Sequence, residues 1–142
     1  MPMIKESDQQ AIKERFSAVT TPVSMLLVTK KSEPPEHAEE MATVLQELAD
    51  LAETLTLEIF DFEMDSAMAE KYGVERMPAI VLVGEKDYGV RYYGFPFGHE
   101  FPAFIDDIID VSKGESGLSP ETRERLTKLP TPVHLRVFST PT

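Results

Sequence analysis

The 142-residue chain contains no cysteine and no tryptophan. Without cysteine it can hold no disulfide framework, no thiolate zinc site and no cysteine nucleophile. It also lacks any apolar run near the roughly 20 residues that span a bilayer, and its first stretch, MPMIKESDQQ, has no apolar signal core. Positive charge is scarce: 14 Lys and Arg stand against 25 Asp and Glu, a formal net charge of −11. Such a surface repels phosphate backbones and anionic lipid, so neither nucleic acid nor membrane is an expected partner, and a cytoplasmic protein is expected. What is present, 42% hydrophobic and 27% charged residues, is ordinary globular material, enough for one core of about 100–150 residues with an appendage.

Periodicity divides this material into elements. SDQQAIKERFSAV reads as an amphipathic helix capped by Ser7 or Asp8. The run Val23 to Val28, after Thr21-Pro22, is too short for a helix and suits a strand buried on both faces. SEPPEHAEE then opens a long helix expected over about 35–53, with Pro34 and Pro35 near its first turn and Met41, Val44, Leu45, Leu48 and Leu51 on one stripe. Residues 54–62 read as a second strand. DSAMAEKYG is a short helix capped by Asp65 or Ser66 and stopped at Gly73. MPAIVLVGEKDYGVRYYG reads as a hairpin turning at Gly84 to Asp87, and HEFPAFIDDIIDVSK as a last helix burying Phe101, Phe104, Ile105 and Ile108. Two strands joined through a helix lie parallel, whereas a short turn forces the last two antiparallel. The expected fold class is therefore α/β, a mixed four-stranded sheet flanked by helices.

The chain also begins to repeat itself. KERFSAVTTPVSMLLVTKKS (13–32) lies over RERLTKLPTPVHLRVFSTPT (123–142), with Thr21-Pro22-Val23 meeting Thr131-Pro132-Val133 and Glu14-Arg15 meeting Glu124-Arg125. Residues 1–115 thus read as one domain, and 116–142 as a linker helix and first strand of a second unit. The strand order, ERMPAIVL before the hairpin, YGVRYYGFPFGHEF before the last helix and the tandem organisation together resemble the glutaredoxin-like protein disulfide oxidoreductases, which carry two thioredoxin-fold units per chain. The resemblance covers essentially the whole chain and is most specific over residues 74–104. It implies a thioredoxin-like fold and a cis proline at Pro78. In that family the matching proline faces a Cys-x-x-Cys between the first core strand and the long helix and binds extended substrate backbone.

The chain departs from that pattern where the chemistry would be. Measured from the helix, the cysteines fall near Pro35 and Ala38; measured from the strand, the first falls near Glu33; no sulfur stands at any of these. Thiol–disulfide exchange needs an attacking thiolate and a resolving thiol, so the chain as given is expected to be redox-silent. The residues expected to bind protein or peptide substrates are Met77 and Pro78 with the opposing Pro34, Pro35, Glu36 and His37. His37 among Glu33, Glu36, Glu39 and Glu40, with Glu33, His37 and Met41 on one helical face, reads as a solvated acidic helix start rather than a metal site. Asp61 reads as solvent-facing, Asp106, Asp107 and Asp110 as the polar face of the last helix, and Phe95 and Phe97 as exposed binding candidates. No phosphate loop, metal constellation or base–nucleophile pair is visible, so no cofactor is expected.

Two functional readings stand. The chain is the N-terminal unit of a two-unit oxidoreductase, contributing substrate surface and packing to a missing second unit, or it is a free-standing non-catalytic peptide-binding module. Either way Val133, Leu135 and Val137 form a strand that should find a sheet, its own or that of a second copy in a homodimer through residues 131–138.

Overall fold

In the computed structural model, which describes residues 2–140, the apolar run after Pro22 forms β1 (Val23–Thr29). It is hydrogen-bonded on both sides, parallel to β2 (Leu55–Asp61) and antiparallel to β3 (Ala79–Val83). A short β4 (Arg91–Tyr93) pairs antiparallel with β3, giving the order β2-β1-β3-β4. Alternation then sends successive side chains of β1 to opposite faces. Val23, Met25 and Leu27 enter the larger core cluster, Leu26 and Val28 the smaller. The mixed α/β sheet expected from the sequence is the one observed.

The larger cluster is closed by three helices: α1 (Glu6–Phe16), α2 (Ala38–Asp50) and α4 (Phe101–Lys113). They contribute Ile12 and Phe16, then Met41, Val44, Leu45 and Leu48, then Phe104, Ile105 and Ile108. The opposite face is covered by α3 (Ser66–Lys71) through Ala69, with Val74 beside it. Gly73 takes a positive φ of 61° after that helix, and Val74 N–H donates to the Ala69 carbonyl at 2.8 Å, the left-handed stop that glycine supplies most cheaply. Beyond α4, α5 (Pro120–Thr127) is capped by Ser119 Oγ, which accepts from the Thr122 amide at 3.2 Å; all of α5 is exposed.

Four expectations are corrected. The long helix starts at Ala38, not near Pro35, because Pro35 pushes Pro34 out of the α region and His37 adopts φ 62° at the N-cap. The first helix is not capped by Ser7 or Asp8; both lie inside it, Lys5 is the N-cap, and Glu6 and Asp8 meet the dipole from the first turn. The hairpin returns only at Arg91, leaving a three-residue β4. Here the chain approaches α4 so closely that a Cβ on Gly84 would lie 2.6 Å from the Val111 carbonyl oxygen. Finally, residues 131–138 form no strand and dock on no sheet of their own chain. Of the two sheet edges, β4 offers only three residues to a strand of this length.

One side chain fastens the α1–β1 connection to α4. Ser112 is 3% exposed; its Oγ accepts from the amides of Thr20 (2.7 Å) and Thr21 (2.9 Å) and donates to the Thr21 carbonyl (3.0 Å). Ser112→Ala leaves these backbone groups unpaired, and it should lower unfolding free energy by about 1–3 kcal/mol in urea titration, with an unchanged slope.

Candidate functional site

Sheet register decides which loops meet. Thr29 at the end of β1 lies opposite Asp61 at the end of β2, Val28 lies opposite Ala79 at the start of β3, and Ala79 lies opposite Tyr93 at the end of β4. The segments after Thr29, after Asp61 and after Tyr93, and the one before Ala79, therefore gather at one end of the sheet. Pro34, Pro35, Glu36 and His37 are in the first of these, and Met77 and Pro78 in the last.

The Met77–Pro78 peptide is cis, and both residues are half-buried. The Pro78 carbonyl accepts from Gly94 N–H at 3.0 Å. Among the described residues nothing hydrogen-bonds to the Met77 amide or carbonyl. The residue after Gly94, Phe95, stacks its ring on the His37 imidazole, with centroids 5.9 Å apart and planes inclined by 23°. Phe95 in turn contacts Phe97 at 3.6 Å, and Phe97 stacks on Phe101 at 5.0 Å. The loop carrying Gly94 and Phe95 thus joins Pro78 to His37. Pro34 and Glu36 are exposed and Pro35 half-buried, and no hydrogen bond or ring contact joins these three to Met77 or Pro78 among the described residues.

Phe95 and Phe97 are half-buried rather than exposed, because both pack against the larger core cluster. They also line an apolar groove of about 440 Å³ with Ile4, Ile12, Val44 and Phe101. Pairing of Phe95 with His37 has no signal in the sequence, since it depends on two loops far apart in the chain.

Asp61 is corrected more sharply. It is 3% exposed, not solvent-facing. Its Oδ2 accepts from the Lys31 amide at 2.8 Å, and its Oδ1 from the amides of Glu63 (3.0 Å) and Met64 (2.9 Å). These amides, Lys31 and Met64 foremost, hold its carboxyl below the usual carboxylate range. Asp61 therefore pins the start of the 30–37 loop to the end of β2. Beside it the Lys30 ammonium pairs with Glu63 at 2.9 Å and Glu33 at 3.5 Å, which raises its pKa, Glu63 being the main cause. Thr29 Oγ1 is buried at this junction without a hydrogen-bond partner among the described residues.

The acidic groups do not assemble a metal site. Glu33 precedes the helix and faces Lys30, so it shares no helical face with His37 and Met41, and Met41 is fully buried. The carboxylates near His37 are Glu36 at 3.6 Å and Glu40 at 3.7 Å, and no group of three or more metal-ligating side chains converges among the described residues. On α4, Asp106 pairs with Arg15 and Asp107 accepts from Tyr92 Oη. Burial and that carboxylate push the Tyr92 phenol upward.

No protein-family model matches the sequence, and no curated protein does. Solved structures do match. The NTD_N/C domain of alkylhydroperoxide reductase AhpF from Enterococcus faecalis is 27% identical with a TM-score of 0.74, over 89% of this chain and 61% of that one. A protein disulfide oxidoreductase from Aeropyrum pernix is 24% identical with a TM-score of 0.79, over 91% of this chain and 56% of that one. The fold is thioredoxin-like. Resemblance to disulfide oxidoreductases holds at the level of this fold, and the chain spans about three fifths of each neighbour's length. No helix among the described residues is long and apolar enough to cross a membrane.

Asp61 ties the start of the 30–37 loop to the end of β2, and its titration is testable. A carboxylate whose pKa is depressed on folding stabilises the fold above its unfolded value of about 3.9, and that contribution disappears as pH falls through the folded value. Asp61→Asn puts an amide against backbone N–H donors, so the variant should be less stable than the parent at pH 7. The difference should narrow below about pH 4. Urea midpoints at pH 7 and pH 3 measure it; an equal gap at both would refute the assignment.

Proposed function

We infer that this chain is a thiol-free thioredoxin-fold unit that binds extended protein segments and packs against a second such unit in a protein of the disulfide oxidoreductase type. Residues 116–142 are on this reading the start of that second unit. The observation that carries the inference is the combination of a thioredoxin-like sheet with no cysteine anywhere in the sequence. Where thiol chemistry would sit, before α2, the chain has Pro34-Pro35-Glu36-His37. A carboxylate near a helix N-terminus stays ionised and is a weak nucleophile, so the glutamates do not replace a thiolate.

What survives is a means of recognition. The unpaired Met77 amide and carbonyl offer an extended segment the strand-addition mode of binding, and Phe95, Phe97 and His37 offer side chains a flat aromatic surface nearby. The similar solved structures include a domain of alkylhydroperoxide reductase AhpF, which supports a role as one unit among several. A second reading, a free-standing binding module, draws on the same open backbone and differs only in lacking the second unit. A Cys-x-x-Cys encoded downstream of Thr142 favours the first reading, and a stop codon the second.

Two measurements test the reading. With dithiothreitol as reductant, the 142-residue chain should reduce insulin no faster than the buffer does; turnover by a sample verified by mass to lack cysteine would overturn the thiol argument. Titrating carbamidomethylated insulin B chain into labelled protein should shift the amide resonances of residues 75–77 and of Gly94, Phe95 and Phe97. Saturable shifts confined to other surfaces would reject the Met77 edge as the binding site.

A further inference from the structure

Arg76 precedes Met77 and Pro78 and is exposed, and its guanidinium carbon lies over the Tyr93 ring, 4.7 Å from the centroid. Tyr93 ends β4 opposite Ala79 and is itself exposed. Its neighbours on that strand fix the side it faces. Tyr92 packs edge-on against Phe104 in the larger cluster, while Arg91 donates through Nε to the carbonyl of Tyr72, which packs on the smaller one. Alternation puts Tyr93 with Arg91, so Arg76 is stacked on the α3 side of the sheet, next to the open Met77 backbone.

Charge sets this arginine apart. Arg91 is paired with Asp87, and Arg15 with Asp106. Arg76 has no carboxylate partner among the described residues, the adjoining Glu75 included. A guanidinium held over a ring keeps its in-plane N–H donors, and their fork matches the two oxygens of a carboxylate. The other side of the same opening has the opposite sign. There Phe95, packed on the larger cluster, carries the His37 ring, which is flanked by the Glu36 and Glu40 carboxylates.

We propose that Arg76, stacked on Tyr93, selects an acidic side chain in the extended segment that pairs with Met77, so that the partner of this unit carries Asp or Glu next to the paired residue. This rests on the reading of Met77 as a strand-addition edge. In such pairing, residues directly opposite each other project to the same side. The residue opposite Arg76 therefore lies on the α3 side with the guanidinium, where a carboxylate meets a cation. Moved to the other side, the same carboxylate meets Glu36 and Glu40. The net charge of −11 works against acidic peptides in general, so a preference for one requires a local cation.

Blocked peptides of alternating Ser and Val with a central Asp, Asn or Lys test this on the whole chain, with Kd read from the amide shifts of residues 75–77. The Asp peptide should bind about threefold tighter than the isosteric Asn peptide, and the Lys peptide more weakly than either. The Asp preference should fade in about 0.5 M salt. Arg76→Gln should bring the Asp peptide to the affinity of the Asn peptide while leaving the latter unchanged. Arg76→Glu should reverse the order, so that Lys binds tighter than Asp, a result that a purely structural role for Arg76 does not produce. Equal affinity for Asp and Asn, or an Asp preference that survives in Arg76→Gln, would overturn the selection and leave the Met77 edge standing. No shift at residues 75–77 with any of the peptides would remove both.

Discussion

β1 is the constraint on which the remainder is built. Its backbone groups bond to β2 on one side and β3 on the other, and Val23, Met25 and Leu27 are fully buried on one face while Leu26 and Val28 are nearly so on the other. A slip of one residue would carry every one of these side chains to the wrong face, so the register has no comfortable alternative. The location of the candidate site follows from the same strand. A partner parallel to β1 ends where β1 ends, and an antiparallel partner begins there, so the 30–37 loop and the Met77-Pro78 segment are neighbours by topology before any side chain is considered.

That topology was legible in the sequence because it rests on strong local signals. The uninterrupted VSMLLV run, the stripe from Phe104 to Ile108 and the glycine stop at Gly73 each report a period or a backbone requirement within a few residues. The parts that escaped depend on distant partners. Asp61 follows polar and apolar residues in EIFDF and reads as outward-facing; two of the amides it accepts from, at Glu63 and Met64, form a local turn visible in principle, but the third, at Lys31, is brought by the sheet. The left-handed backbone of His37 was equally hidden, since a residue with a Cβ adopts it rarely and nothing nearby announces it. The terminal segment failed for another reason: alternation says what a strand would look like, but only an available edge makes one.

The electrostatics at the start of α2 favour an anion, and the anions present there are carboxylates. A helix N-terminus favours anions, which in a thiol enzyme lowers the pKa of a cysteine and raises its reactivity. The same field acting on Glu39 and Glu40, in the first turn of α2, favours ionised carboxylates, which gain charge without gaining nucleophilicity. With His37 flanked by Glu36 and Glu40 and backed by Phe95, this end of the molecule becomes an acidic rim around an aromatic surface.

Such a surface is useful for recognition only if it is already in place, and its supports are part of the core. Phe95 and Phe97 pack against the main hydrophobic cluster, Pro96 between them is buried, and Gly94 and Gly98 supply the positive φ values, 97° and 68°, that let the loop enter and leave this packing. Asp61 fixes the facing loop from the other side through the Lys31 amide. A ligand meeting these groups has little loop ordering to drive, which is the term that most often erodes affinity at small binding surfaces. Neither the sheet nor the aromatic stack draws any of its stability from a thiol, so the same packing that holds the fold also holds this surface in place.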